Sequence, residues 1–275
     1  MSKVILLTGA TDGIGLATAR LLAAQGHQLL IHGRNPEKLA SVTQALAEAY
    51  PDISVTALKA DLSSLDEVSK LAEAVKAQVA HLDVIINNAG VFKTASAINH
   101  AGLDVRFVVN TLAPWLLTRA LLPLMSADGR VVNLSSAAQA PVQLDALQGK
   151  VHLADDFAAY AQSKLAITAW SRALARQLGD RGPAIIAVNP GSLLASKMVK
   201  DGFGVAGNDI SIGANILIKA GLDASFADAS GKYFDNDSGK FAPPHPAALD
   251  EAQTDKLLTT MDAMLGLESI YSSQS

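Results

Sequence analysis

The chain has no cysteine in its 275 residues, which excludes disulfides, thiolate nucleophiles and metal sites that depend on cysteine. Aromatic residues make up 5%, so an interior must be assembled from Ala, Val, Leu and Ile. Charge is sparse as well: 17% of residues are Asp, Glu, Lys or Arg, the formal net charge is -4, and no long basic run occurs. Nucleic acid and anionic membrane surfaces are therefore poor partners. No stretch reaches the roughly 18 uninterrupted apolar residues of a membrane span. The opening run MSKVILLTGATDGIG is too short for the core of a signal peptide and ends in glycines. It reads as a buried strand, and a cytoplasmic location is the expectation. The six histidines (His27, His32, His81, His100, His152, His245) lack the two-histidine helical spacing of a zinc site. Each is expected in a loop or at the surface, and no metal is expected.

Apolar material is abundant, 49% of the chain, and it is arranged in alternation. KVILLT is a continuous apolar run, as suits a parallel strand buried on both faces, and GLATARLLAAQG follows with helical spacing. QLLIH is a second strand; Asn35 then reads as an N-cap with Pro36 at the first helical position. ISVTAL, LDVIINNAG, GRVVNLSS, PAIIAVNPG and GKYF continue the strands. Helical patterns lie between them, including 103–125, 157–178 and 210–220. Strict alternation predicts an α/β fold, a Rossmann-type doubly wound parallel sheet with helices on both faces, in one domain over 1–275. The alanine- and leucine-rich helices 103–125 and 157–178 offer a face for a homodimer or homotetramer. Residues 192–212 are expected to form a substrate lid, with Met198 and Phe203 covering the site and Gly202, Gly204 and Gly207 as hinges. The chain from about 235 to 275, with its FAPPHP turn, is expected to wrap the surface.

Strand one runs into TGATDGIG and a helix begins there. A phosphate can approach backbone N–H groups at such a helix N-terminus. Gly9 would permit the tight turn, Gly13 the close approach of pyrophosphate and Gly15 the packing of helix on strand; Thr11, Asp12 and Ile14 complete the loop. Where NAD-binding sheets often place an acid after the second strand, this chain has Gly33 and then Arg34. A guanidinium there suits a 2′-phosphate, so NADP(H) is favoured over NAD(H), although Asp12 adds an unhelpful negative charge.

Tyr160 and Lys164, in YAQSK, are one helical turn apart on one face. An unperturbed phenol, with a pKa near 10, is a poor base at neutral pH. A neighbouring ammonium favours the tyrosinate and lowers that value, and the positive ring of an oxidised nicotinamide does the same. The pair is thus suited to acid–base exchange with a carbonyl or alcohol. Asp155 and Asp156 are adjacent, so their side chains diverge, and they are expected to cap this helix.

Together these motifs resemble the short-chain dehydrogenases/reductases over about residues 3 to 235. The resemblance rests on TGATDGIG, ADLSS, NNAG, Asn110 in VVNTLAP, VVNLSS, YAQSK and NPG, in that order. It implies an enzyme that transfers a hydride between NAD(P) and a small carbonyl or alcohol substrate. It implies a catalytic set of Asn110, Ser136, Tyr160 and Lys164. Asp61 and Leu62 would lie beside the adenine. Asn88, Ala89 and Gly90 would line the middle of the cofactor and steady the fourth strand. Pro190 and Gly191 would face the nicotinamide. Lys164 would reach the ribose hydroxyls, Ser136 the substrate oxygen, and Asn110 would hold a water beside Lys164. Ser135 would point to the opposite side from Ser136.

Two departures stand out. The stretch from Ser136 to Tyr160 is longer than in many members and looks like that of the retinol-dehydrogenase-like subgroup. That subgroup often has an N-terminal membrane anchor, which is not expected here, so a lipid-like substrate is only weakly implied. After NPG the frequent threonine is missing, and Ser192 or Ser196 would substitute. The competing reading is a non-catalytic redox sensor that binds the nucleotide; a sensor has no need for Ser136, Tyr160 and Lys164. A methyltransferase on a related sheet has no use for the Tyr–Lys pair.

Overall fold

The structure, a computed structural model, describes residues 1–194, 204 and 206–270. Among them, eight strands form one sheet: β1 (Val4–Leu7), β2 (Gln28–Gly33), β3 (Val55–Lys59), β4 (Leu82–Asn87), β5 (Met125–Leu134), β6 (Ala184–Asn189), β7 (Tyr233–Asp235) and β8 (Lys240–Ala242). The order is β3-β2-β1-β4-β5-β6-β7-β8. Every neighbouring pair as far as β7 is parallel, and β8 returns antiparallel to β7.

Strand alternation divides the core in two. Leu6, Leu30, Ile85, Val131 and Ile185 point to one side, while Ile5, Leu29, Val84, Val132 and Ile186 point to the other. Each fully buried Leu or Ile contributes about 1.5–3 kcal/mol of hydrophobic stabilisation. The second side is closed by α1 (Gly13–Ala24), α2 (Pro36–Ala49) and α8 (Ile210–Leu222). The first side is closed by α3 (Leu65–Gln78), by α4 (Val105–Phe107) running through a π-helical turn (Val108–Leu112) into α5 (Ala113–Leu121), and by α7 (Asp156–Leu178). A single turn, α6 (Leu144–Leu147), precedes α7. Asn35 caps α2, accepting from Lys38 N, with Pro36 at the first position as expected.

The expected surface tail is instead partly core. Residues beyond Asp235 form β8 and then α9 (Glu251–Leu265), whose Leu257, Leu258 and Met261 join the first-side cluster. Thr254, Leu257, Leu258 and Met261 recur at three- and four-residue steps, a helical face that the Gly-, Pro- and Asp-rich stretch before it obscures. In α9 the buried Asp262 accepts from Trp115 Nε1 (2.8 Å) and Arg119 Nη1 (3.1 Å). Trp115 stacks edge-on against Trp170 of α7 at 5.2 Å. Helix α9 thus packs beside the two tryptophans of α5 and α7.

Two further expectations change. His27 and His32 are buried, at 7% and 3% exposure, because both fall in the β2 region where the strand passes through the core. The helical run Val105–Leu124 is long and apolar enough to cross a membrane, with a hydropathy of 1.3. Counting only uninterrupted apolar residues misses it, since Asn110, Thr111 and Thr118 break the run. Here 67% of that window is buried inside the protein.

Replacement of Leu258 by Ala should cost about 2–5 kcal/mol in urea unfolding, as deletion of a fully buried side chain does. A loss well below that range would show that α9 is peripheral to the folding unit.

Candidate active site

The order of strands reverses between β1 and β4, and a crevice opens there at the carboxyl ends of the strands. The glycine loop lines it. Gly9 has φ of +67°, and an added Cβ would sit 2.9 Å from Ala89 Cα. At Gly15 an added Cβ would come within 2.0 Å of the Gly9 carbonyl oxygen. Larger residues at these two positions would break the loop. Asp12 caps α1 by accepting from Gly13 N (2.9 Å). The following N–H groups of the first turn have no intrahelical partner and remain available to an anion.

Side chains from neighbouring strands hold this loop. Asn88 Nδ2 donates to the carbonyls of Thr8 (2.9 Å) and Gly9 (3.0 Å), while Thr8 Oγ1 accepts from Asn88 N and Ala89 N, each at 3.1 Å. These bonds tie the residues that follow β4 to the end of β1. His32, which the sequence reading did not credit, does comparable work: Nδ1 accepts from Gly9 N (3.2 Å) and Nε2 faces the Ala60 carbonyl (3.0 Å). Burial lowers its pKa, so the ring is neutral and donates from Nε2. Its place inside an apolar strand was the available signal.

At the end of β2, Arg34 is exposed, and Gly33 packs against Thr11, where a Cβ would meet Thr11 Cγ2 at 2.5 Å. The charge of Asp12, expected to oppose a 2′-phosphate, is met by Lys38 Nζ at 3.0 Å from the first turn of α2. Asp61 Oδ1 accepts from Ser63 N (2.9 Å) and Ser63 Oγ (2.8 Å), and Leu62 is buried beside it.

At the end of β5 the chain turns through Ser135 and Ser136, and the two diverge as expected. Ser135 is buried against Thr168 and donates to the Lys164 carbonyl, whereas Ser136 Oγ accepts from Ala138 N (3.1 Å) and faces the Tyr160 phenol. The Ser136 carbonyl is held from below by Gln139 Nε2 (2.9 Å) and by Tyr233 Oη of β7 (3.1 Å). Lys164 is 4% exposed, and its Nζ donates to the Leu134 carbonyl (2.8 Å) and lies 5.7 Å from the Tyr160 ring centre. Phe92 approaches Tyr160 edge-on at 5.2 Å, and Phe157 stands 6.4 Å beyond Phe92.

Electrostatics corrects the sequence reading here. Burial pushes the Tyr160 phenol above its usual value, and the hydrogen bond with Ser136 offsets this only in part. Burial also pulls the Lys164 ammonium down, to about 8. Withdrawal from water outweighs the expected pull of lysine on tyrosine.

Asn110 lies in the π-helical turn and is 1% exposed. Its Oδ1 accepts from Val91 N (2.8 Å), and its Nδ2 donates to the Val91 carbonyl and to Ser163 Oγ, each at 2.9 Å. These three bonds fix the position of the side chain. It joins the Val91 loop to the helix of Tyr160, since Ser163 Oγ in turn donates to the Tyr160 carbonyl (2.7 Å). Gly90 lies between Asn110 and Lys164, where an added Cβ would be 3.4 Å from Asn110 Oδ1 and 3.5 Å from Lys164 Nζ. Asp155 caps α7 as expected, but Asp156 instead pairs with the buried Arg106, which also forms a two-point pair with Asp104.

Past β6, Pro190 and Gly191 border the opposite wall. Ser192, expected to contact the carboxamide, has its hydroxyl committed to Asp237 (2.6 Å). Ser196, and Met198, Gly202 and Phe203 of the expected lid, lie outside the described residues. Gly204 and Gly207 have φ of +70° and +81°.

Fold and site together define a dinucleotide-binding α/β oxidoreductase. A family model for short chain dehydrogenases matches residues 3–203, and the chain belongs to that family. Its members use nicotinamide cofactors. The chain is 30% identical to retinol dehydrogenase 13 of Homo sapiens, over 97% of this chain and 86% of that one. It is also 30% identical to the chloroplastic short-chain dehydrogenase TIC 32 A of Brassica napus, over 92% and 85%. Among solved structures, an uncharacterised protein from Mycobacterium Paratuberculosis superposes with a TM-score of 0.78 at 26% identity, covering 97% of this chain and 94% of that one. A short chain dehydrogenase from Escherichia coli CFT073, solved with NADPH, gives 0.66 at 27% identity, covering 85% and 96%.

The depressed Lys164 value has a signed consequence. Below pH 8 the folded chain carries a buried ammonium at a cost; between about 8 and 10.5 the unfolded chain keeps a proton that the folded chain has released, so stability rises with pH. Lys164→Met should therefore be more stable than the parent at pH 7 by up to about 3 kcal/mol, with the gap closing as pH rises through that window. A gap independent of pH in parallel urea titrations would contradict the assignment.

Proposed function

We propose that the protein is an NADP(H)-dependent oxidoreductase that moves a hydride between nicotinamide and a carbonyl or alcohol carbon, with Tyr160 as acid and base. The observation that carries this reading is the convergence of Ser136, Tyr160 and Lys164 at the carboxyl end of β5, beside the glycine loop. When bound, the nicotinamide exchanges the hydride and, oxidised, brings a positive charge. Tyr160 gives or takes the proton at its phenolic oxygen. Ser136, whose hydroxyl already meets that phenol, donates to the substrate oxygen and steadies negative charge as it develops. Lys164 spends one N–H on Leu134 and keeps two for the ribose hydroxyls. Asn110 acts as a strut, fixing Val91 and the helix that carries Tyr160.

Arg34 and Lys38 support NADP(H): the first is free at the surface after β2, and the second cancels the charge of Asp12. The NADPH held by the relative from Escherichia coli CFT073 points the same way. Pro190 and Gly191 fit the nicotinamide wall, and Asp61, Leu62 and Ala60 the adenine wall. Phe92 puts an aromatic edge next to Tyr160, with Phe157 beyond it, which suits a substrate that is apolar around its reacting carbon. The name of the human relative, retinol dehydrogenase 13, is consistent with an alcohol of that kind.

The test is turnover of NADPH and NADH with a panel of ketones, aldehydes and alcohols. Tyr160→Phe should keep dinucleotide affinity and lose about a hundredfold or more in kcat. Arg34→Ala should raise KM for NADPH about tenfold and leave KM for NADH unchanged. Tight dinucleotide binding by the parent without turnover of any substrate would replace this reading with the redox sensor.

A further inference from the structure

The turn after β6 is held in an unfavourable shape. Gly191 has φ of +120°, and Leu193, which is not glycine, has φ of +52°. Ser192 and Leu193 are exposed, so little packing keeps them there. The restraint comes from the turn joining β7 to β8. Asp237 Oδ1 accepts from Ser192 N (2.7 Å), and its Oδ2 accepts from Ser192 Oγ (2.6 Å) and Asn189 Nδ2 (2.9 Å). Asn236 adds a bond from its Nδ2 to the Pro190 carbonyl (2.9 Å), and Asp235 Oδ1 also accepts from Asn189 Nδ2 (2.8 Å). Among the described residues no cation lies within ion-pair distance of Asp237. Among the described residues its charge is answered by these three donors, and its pKa falls below the ordinary value because the bonds from Ser192 and Asn189 outweigh burial.

We propose that Asp237 is a positioning residue for the nicotinamide end of the site: its carboxylate clamps Asn189 and Ser192 and so fixes the Pro190–Gly191 wall between them. The inference rests on the reading above that this wall faces the nicotinamide. A carboxylate that takes three donors sets both the position and the tilt of the turn, as a ligand to one donor could not. With Ala in its place, Ser192 and Asn189 lose their shared acceptor and the turn relaxes toward ordinary backbone angles. The adenine end, bounded by Arg34 and Asp61, belongs to other strands and is untouched. The clamp takes up the one hydrogen that the Ser192 hydroxyl can donate.

The experiment compares a whole cofactor with its adenine half. NADPH and adenosine 2′,5′-bisphosphate are titrated calorimetrically against the parent, Asp237→Ala, Asp237→Asn, Ser192→Ala and the double variant Asp237→Ala/Ser192→Ala. Asp237 is exposed, so its replacement leaves the core intact. The expected result is that Asp237→Ala weakens NADPH about tenfold and leaves the bisphosphate unchanged. Asp237→Asn, which keeps one acceptor oxygen, should fall between, and the double variant should lose less than the sum of the single losses. NADPH affinity equal to the parent's overturns the proposal, as does an equal loss for both probes, which would mean a general structural role. A parent that binds the bisphosphate but gains nothing from the nicotinamide half removes the clamp's purpose while leaving the nucleotide site standing. A parent that binds neither probe removes the functional reading itself.

Discussion

A lysine withdrawn from water under a tyrosine is the constraint around which this site is built. Lys164 is 4% exposed and has one hydrogen bond, to the carbonyl at the end of β5. Holding an ammonium there is costly, and the cost shows in its lowered pKa. The same dryness raises the phenol of Tyr160. The protein alone therefore holds a neutral phenol over an ammonium that gives up its proton more readily than usual. It supplies position, while much of the charge that would drive proton exchange has to arrive with the cofactor.

That position depends on elements far apart in sequence. Asn110 in a π-helical turn, the Val91 loop and Ser163 tie α4 and α5 to α7. π-turns are uncommon and tend to occur at functional sites; here the turn brings the Asn110 amide to both the loop and the catalytic helix. Tyr233 and Gln139 hold Ser136 through its carbonyl, and Asn88 and His32 hold the glycine loop. Nearly all of these bonds lie at the carboxyl ends of parallel strands. The sheet order is what brings the loops after β1, β4, β5 and β6 to one crevice.

Much of this was legible in the residues. Continuous apolar runs marked the buried parallel strands, and TGATDGIG and YAQSK marked the cofactor loop and the Tyr–Lys face, because those features are local and periodic. The divergence of Ser135 from Ser136 followed from strand alternation alone. What was not legible depends on partners distant in the chain. Helix α9 was hidden by the Gly- and Pro-rich segment before it. The buried role of His32 needed knowledge of which strands flank β2. The bonds from Asn110 to Val91 and Ser163 are tertiary as well. The direction of the Tyr160 shift was misjudged for the same reason: charge proximity can be read from spacing, but burial cannot.

The central claim is that Tyr160 is harder to ionise than an ordinary tyrosine until the cofactor binds. The direct measurement is a carbon-13 NMR titration of tyrosine-labelled protein, with the Tyr160 signal assigned by its loss in Tyr160→Phe. The account expects Tyr160 to titrate above about 10 in the free protein and to move to lower pH when NADP⁺ is added. A phenol that already titrates well below 10 without nucleotide, or one whose titration NADP⁺ leaves unchanged, would contradict it.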